Sequence, residues 1–250
     1  MIRPAKALRR TLAGLALALA AGPVMAACET TEFEGQPFTA CTARAGDDLR
    51  LFLNDAEGQL LGSFARVEAA LEPDARHLVF AMNAGMFHPD RRPVGLYIED
   101  QTEAAGIVTR EGPGNFGMLP NGVFCVLPEG FAVFESRAFA EAPPECRFAT
   151  QSGPMLVIDG ALHPRFLPDS TSLFLRNGVG VSADGQRAVL VISDAPVSFH
   201  HFARFFRDAL GLPQALYLDG NISRLYAPEI GREDWGFPMG PIIGLVAPDS

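Results

Sequence analysis

Short apolar runs, each closed by a turn signal, recur along this 250-residue chain and leave room for little besides a strand-rich fold. Three hairpins are marked by their turns. Val123 to Leu127 and Phe131 to Glu135 flank Pro128-Glu129-Gly130; Met155 to Ile158 and Ala161 to His163 flank Asp159-Gly160; Val179 to Ser182 and Ala188 to Ser193 flank Asp184-Gly185. Asp48 to Leu53, His77 to Met82 and Ile242 to Val246 read as further strands, and Val94 to Ile98 with Gly106 to Arg110 as a short pair. Helical spacing is confined to two segments. Ser63 to Leu71 places Phe64, Val67, Ala70 and Leu71 on one face before Pro73. Ser198 to Leu210 is capped by Ser198 and closed by Gly211 and Pro213, with Phe202, Phe205 and Phe206 on its apolar stripe. Ala138 to Arg147, acidic and rich in proline, reads as a surface loop. These signals predict a single α+β domain, strand-rich, with mixed sheets and two main helices.

The domain is expected to span residues 27–250, because residues 1–26 read as a Sec-type signal peptide. Arg3, Lys6, Arg9 and Arg10 form a cationic front, Leu12 to Ala21 an apolar core too short to span a bilayer, and Val24-Met25-Ala26 a processing site. Nothing later resembles a membrane span. Cleavage removes these four cations and no acids, taking the formal charge from −9 to −13 and leaving no lysine, so nucleic acid is not an expected partner. The four cysteines, Cys28, Cys41, Cys125 and Cys146, fit no zinc or redox spacing. An even number in an exported chain predicts two disulfides in a periplasmic protein, and of the three connectivities the sequence-local one is preferred, Cys28 with Cys41 and Cys125 with Cys146. Met25-Ala26-Ala27-Cys28 also approximates a lipoprotein box, which makes a lipid anchor at Cys28 the lesser alternative.

Four places bring a strand end against polar and small residues: Asn83-Ala84-Gly85-Met86-Phe87, Gln151-Ser152-Gly153-Pro154, Arg176-Asn177-Gly178, and Asp219-Gly220-Asn221-Ile222-Ser223. The last follows the apolar run Ala215 to Leu218, and its Asp-Gly pair reads either as one more hairpin turn or as a site. Arg176, set among apolar residues and glycines, needs an anion: a structural carboxylate such as Asp219, or a substrate phosphate. Other chemistries find less support. Gly112 to Gly117 matches G-x-G-x-x-G without the strand and helix that a dinucleotide site requires. His200 and His201 point about 100° apart on a helix, so no metal site is expected. No G-x-S-x-G elbow occurs, and no cofactor is implied.

The motifs NAGMF (Asn83 to Phe87), QSGPM (Gln151 to Met155), RNGVGV (Arg176 to Val181) and LDG-N-x-S (Leu218 to Ser223), in this order, resemble the phosphodiester glycosidase family, whose animal members are the lysosomal uncovering enzymes. The resemblance runs from about Phe80 to Val246 and is similar to a bacterial, exported branch. It implies an α+β domain that hydrolyses the bond between a sugar's anomeric carbon and a phosphodiester, with a carbohydrate phosphate as substrate. Better-known members carry D-G-G-G-S and N-G-G-F-F where this chain has Asp219 to Ser223 and Asn83 to Phe87, so Ile222 and Met86 reshape the pocket. On this reading Asp219 is the base or nucleophile, Arg176 clamps the departing phosphate, and Asn83, with Asn177 and Ser223, orients the reactants; Gln151, Ser152, Gly220 and Asn221 complete the substrate-binding set. The competing reading is a non-catalytic glycan- or sugar-phosphate-binding envelope protein.

Overall fold

The computed structural model describes residues 27–219 and 222–249; the expected signal peptide, Gly220 and Asn221 lie outside the described residues. In chain order the strands are β1 (Cys28–Phe33), β2 (Gln36–Arg44), β3 (Asp48–Phe52), β4 (Arg76–Asn83), β5 (Tyr97–Glu99), β6 (Thr102–Ala105), β7 (Gly122–Leu127), β8 (Gly130–Glu135) and β9 (Phe148–Ser152). They continue as β10 (Met155–Ile158), β11 (Ala161–Leu162), β12 (Asn177–Val181), β13 (Arg187–Ser193), β14 (Gln214–Asp219), β15 (Leu225–Ala227), β16 (Arg232–Glu233) and β17 (Ile242–Pro248). The helices are α1 (Phe64–Leu71), α2 (Ser136–Glu141) and α3 (Phe199–Arg204).

Three sheets form, ordered β1-β2-β13-β12-β14-β10-β11, β16-β15-β4-β17-β3 and β6-β5-β9-β7-β8. The α+β class and the two main helices stand. The sheets, expected to be mixed, are antiparallel in every pairing among the described residues. Their inner faces meet in one central core: Val179, Leu190 and Leu216 from the first sheet, Leu51, Phe80 and Ile243 from the second, and Tyr97, Phe124 and Phe148 from the third. Each outer face is then closed by one helix. Phe202, Phe205 and Phe206 cover the first sheet, Phe64, Val67 and Leu71 the second, and Phe139 the third. Strands buried on both sides read as continuous apolar runs, and Ala215 to Leu218 is such a run.

All three turn-marked hairpins form as expected. The short pair is shifted to β5 and β6, joined by Asp100 and Gln101 at φ of 45° and 66°. Left-handed turn residues that are not glycine carry little sequence signal, which explains the misplaced turn. The expected loop from Ala138 begins instead as α2, because Glu135 Oε2 accepts from the Arg137 and Ala138 amides, both at 2.9 Å, and caps it. The last helix widens after Arg204 into a π turn over Phe205–Ala209, in which both Phe205 and Phe206 are buried. Cys28 pairs with Cys41 across β1 and β2, and Cys125 with Cys146, the preferred connectivity. The Cys28 sulfur is thereby committed to Cys41, and a lipid anchor would require it free. Among the described residues no helix is long and apolar enough to cross a membrane.

Candidate functional site

The ends of β4, β12 and β14 converge where the first and second sheets meet. β14, ending at Asp219, belongs to the first sheet and β15, beginning at Leu225, to the second, so these two strands form no hairpin and the chain changes sheets between them. Against β12 the register of β14 slips at its last residue. Gly178 faces Tyr217 but Asn177 faces Asp219, leaving Leu218 extra. Such a bulge re-aims the residue that follows it, here Asp219, whose side chain is largely buried.

Two asparagines clasp the sheets together. Asn177 Nδ2 donates to Asn83 O at 2.7 Å, and Asn83 Nδ2 donates to Asn177 Oδ1 at 3.2 Å. The remaining capacity holds the site's backbone: Asp219 N donates to Asn177 Oδ1 at 3.0 Å and Arg224 N to Asn83 Oδ1 at 2.9 Å. Both amides are fully buried, so a hydrophobic replacement of either would strand the backbone donor it holds. Ser152 Oγ donates to Leu218 O at 2.7 Å and anchors the bulge; Ser223 Oγ lies 2.9 Å from Asp219 O. Gln151 stands apart from this cluster. Its Oε1 accepts from Leu96 and Val108 amides, and its Nε2 donates to Val108 O and Ser136 Oγ, so its amide braces the third sheet. Gly85 lets the loop after β4 reach that strand, since a Cβ there would collide with Thr150 Oγ1 and lie 2.5 Å from Gln151 O.

Arg176 is 1% exposed, and none of the ion pairs seen among the described residues involves it. Its Nε donates to Val197 O at 2.8 Å and its Nη2 to Ser172 O at 3.1 Å, while its Cζ lies 3.7 Å from the centre of the Phe199 ring. The Phe174 and Tyr217 rings stand 5.4 and 5.5 Å away. Nη1 is buried with no hydrogen-bond partner among the described residues. The Tyr217 phenol and the guanidinium act on each other through charge and side-chain hydrogen bonding, while Nη1 itself has no partner in hydrogen-bonding geometry among the described residues. Burial lowers the Arg176 pKa and raises that of Tyr217; for the tyrosine, Arg176 pulls downward and Asp219 upward, which places this phenol within reach of both charges.

Arg224 is a residue that motif reading left without a role. It is half-buried and donates from Nη1 to Phe237 O at 2.6 Å; burial depresses its pKa, Asp234 opposes this and the like charge of Arg91 adds to it. Its position next to Ser223 was the available signal. The histidines lie elsewhere: His163 is buried against Phe166, and His201 stacks on Phe38. Among the described residues no three His, Cys, Asp or Glu side chains converge as metal ligands would. The arrangement offers a carboxylate at a strand end held by an amide clasp, and a buried guanidinium with a spare donor.

A family model described as phosphodiester glycosidase matches residues 76–233, a span that includes the whole clasp. The chain is 34% identical over 178 residues to the uncharacterized protein YigE of Escherichia coli (strain K12), covering 71% of this chain and 69% of that protein. The fold is similar to that of the zebrafish N-acetylglucosamine-1-phosphodiester alpha-N-acetylglucosaminidase catalytic domain, auto-inhibited by its pro-peptide. The TM-score is 0.55 at 14% identity, over 87% of this chain and 81% of the other. A hypothetical protein from Synechocystis is similar at TM-score 0.53 and 15% identity, over 88% and 61% of the respective chains. The motif order, the fold and these matches agree, and the chain belongs to the phosphodiester glycosidase family.

Proposed function

We propose that this protein is an exported hydrolase that cleaves the glycosidic bond of a sugar-1-phosphodiester in the bacterial envelope. The observation that carries the reading is Arg176 Nη1, a buried cationic donor without a partner among the described residues, within the same phenol's electrostatic reach as Asp219. An unsatisfied buried donor is costly, and an entering phosphate oxygen would satisfy it. Family membership supplies the reaction class, and the similar zebrafish enzyme acts on an N-acetylglucosamine-1-phosphodiester. Two disulfides favour an oxidising compartment.

Asp219 attacks the anomeric carbon, or activates the water that does, while the bond from that carbon to the phosphate oxygen breaks. The departing phosphate monoester is a far better leaving group than an alkoxide, so strong general-acid assistance is not needed and one carboxylate suffices. Charge growing on the phosphate is met by Arg176. Asn83 and Asn177 act through the backbone they hold, Asn177 fixing the Asp219 amide and Asn83 that of Arg224. Ser223, with Gly220 and Asn221, would contact the sugar or phosphate from the loop beyond Asp219, and Ser152 supports the bulge. Gln151 braces the third sheet behind them.

Hydrolysis of a panel of sugar-1-phosphodiesters in water enriched in heavy oxygen tests the reading. Label in the released sugar is expected; label in the phosphate would reassign the protein as a phosphodiesterase, and saturable binding without turnover would make it a binding protein.

A further inference from the structure

Ser223 and Arg224 are adjacent in the chain, and each holds a separate lip of protein beside the site. Ser223 Oγ lies 3.2 Å from Leu175 O, and Arg224 Nη1 donates to Phe237 O. The first lip displays Leu173, Phe174 and Leu175 at 54, 48 and 44% exposure; the second displays Trp235 and Phe237 at 92 and 79%. Exposed apolar side chains are ordinary when scattered, but five of them on two lips pinned by neighbouring residues mark a binding surface. The second lip is built to shape. Gly236 sits at φ 154°, and the Arg224 guanidinium occupies the space into which a Cβ there would project. Arg176 lies at the root of the first lip, bonded to Ser172 O with Phe174 beside its guanidinium. An anion taken up by Nη1 therefore has an apolar lip as its neighbour. Phe174, Trp235 and Phe237 can stack on a sugar or pack on a hydrocarbon, but Leu173 and Leu175 offer no ring to a sugar face; the one chemistry that matches all five is a hydrocarbon chain.

We infer that the second ester group of the phosphodiester is an apolar chain, so that the substrate class is a lipid-linked sugar phosphate whose hydrocarbon lies between Leu173–Leu175 and Trp235–Phe237. The inference rests on the hydrolase reading of this same site. Trp235 is the only tryptophan in the chain, so its emission reports on the second lip directly. With the chain from residue 27 onward, submicellar octyl phosphate is expected to shift that emission to the blue and saturate, whereas inorganic phosphate is not. The double variant Leu173→Ser, Leu175→Ser, made at exposed positions, should weaken octyl phosphate by roughly tenfold or more with an unchanged melting temperature. Among sugar-1-phosphodiesters, the octyl ester should exceed the methyl ester in kcat/KM by roughly tenfold or more for the same reason. No blue shift with octyl phosphate, an equal shift with a methyl glycoside or with phosphatidylcholine vesicles lacking any phosphomonoester, or equal turnover of methyl and octyl esters would overturn the inference. Equal turnover would leave the hydrolase reading intact; a saturable octyl phosphate shift with no hydrolysis of any ester would instead sink the hydrolase reading and leave the lips as a receptor for amphiphilic phosphates.

Discussion

Two arginines of this protein have opposite surroundings, and the contrast separates a residue that ties two sheets together from one for which we propose a ligand. Arg232 on β16 is ringed by acceptors: it pairs with Asp194, donates to Asp234 Oδ2 at 2.9 Å and reaches Thr39 Oγ1 at 3.2 Å, tying the second sheet to the first. Burial lowers its pKa, but the two carboxylates outweigh burial and the net shift is upward. Arg176 is more deeply buried, is held by two carbonyls and aromatic faces, and has its pKa lowered. A charge placed where its protonated form is disfavoured, with a spare donor, is the surrounding that the proposed phosphate-binding role of Arg176 requires.

The largest expected effect tests whether the Arg176 region is the reacting one. Asp219→Asn should lower kcat by about 10²–10⁴-fold while leaving substrate binding measurable by calorimetry. A variant that turns over normally would move the chemistry elsewhere. Next comes the direct comparison of the two arginines. Arg176→Lys keeps the charge but loses the planar fork, so kcat/KM should fall by about 10²-fold, and the loss should shrink when the phosphate is replaced by a neutral leaving group of similar reactivity. Its two carbonyl acceptors make some stability loss unavoidable, about 1–3 kcal/mol. Arg232→Ala should destabilise by about 1–3 kcal/mol, reduced from the value for a fully buried pair because the side chain is partly exposed, and should spare kcat. Equal rate losses on charged and neutral substrates would make Arg176 a second Arg232.

A third test uses the Cys125–Cys146 bridge, whose Cys125 lies in the third sheet, apart from the strands that carry the two arginines' contacts. Cys125→Ser with Cys146→Ser should cost about 2–5 kcal/mol in urea unfolding and leave kcat unaltered. A fall in kcat without loss of stability would connect the third sheet to catalysis. The smallest effect is a pH dependence outside the site. Burial lowers the pKa of His163 below its ordinary value of 6.5, so the unfolded chain binds the proton more readily. The stability contributed by neutral His163 is complete above pH 6.5 and is lost as the pH falls toward the depressed value; His163→Gln should flatten that part of the stability profile. An unchanged profile would assign the dependence to other groups.

Much of this protein was legible before its structure. The turn-marked hairpins, the two capped helices and the disulfide pairing are local or depend on short sequence separations, and each follows from turn chemistry, apolar spacing or cysteine context. The Asp100-Gln101 turn and the start of α2 were not legible, because a left-handed aspartate and a glutamate cap look like ordinary polar residues. In the candidate site, the strand-end motifs singled out Asn83, Arg176, Asn177 and Asp219 but not which groups each side chain bonds. Gln151 and Ser152 are adjacent in sequence, yet alternation along β9 turns one amide into a brace of the third sheet and gives the other's hydroxyl the Leu218 carbonyl.

From the sequence alone came the strand-rich class, the charge balance, the cysteine pairs and the family motifs, all set by residue type at short range. Only the tertiary structure decided that β14 and β15 belong to different sheets, that Asn83 and Asn177, 94 residues apart, clasp those sheets, and that Arg176 faces carbonyls and rings. The reason is physical: a hydrogen bond has no sequence signature when its partner comes from a distant strand, and whether a buried cation is paired depends on which acceptors packing brings within reach of it.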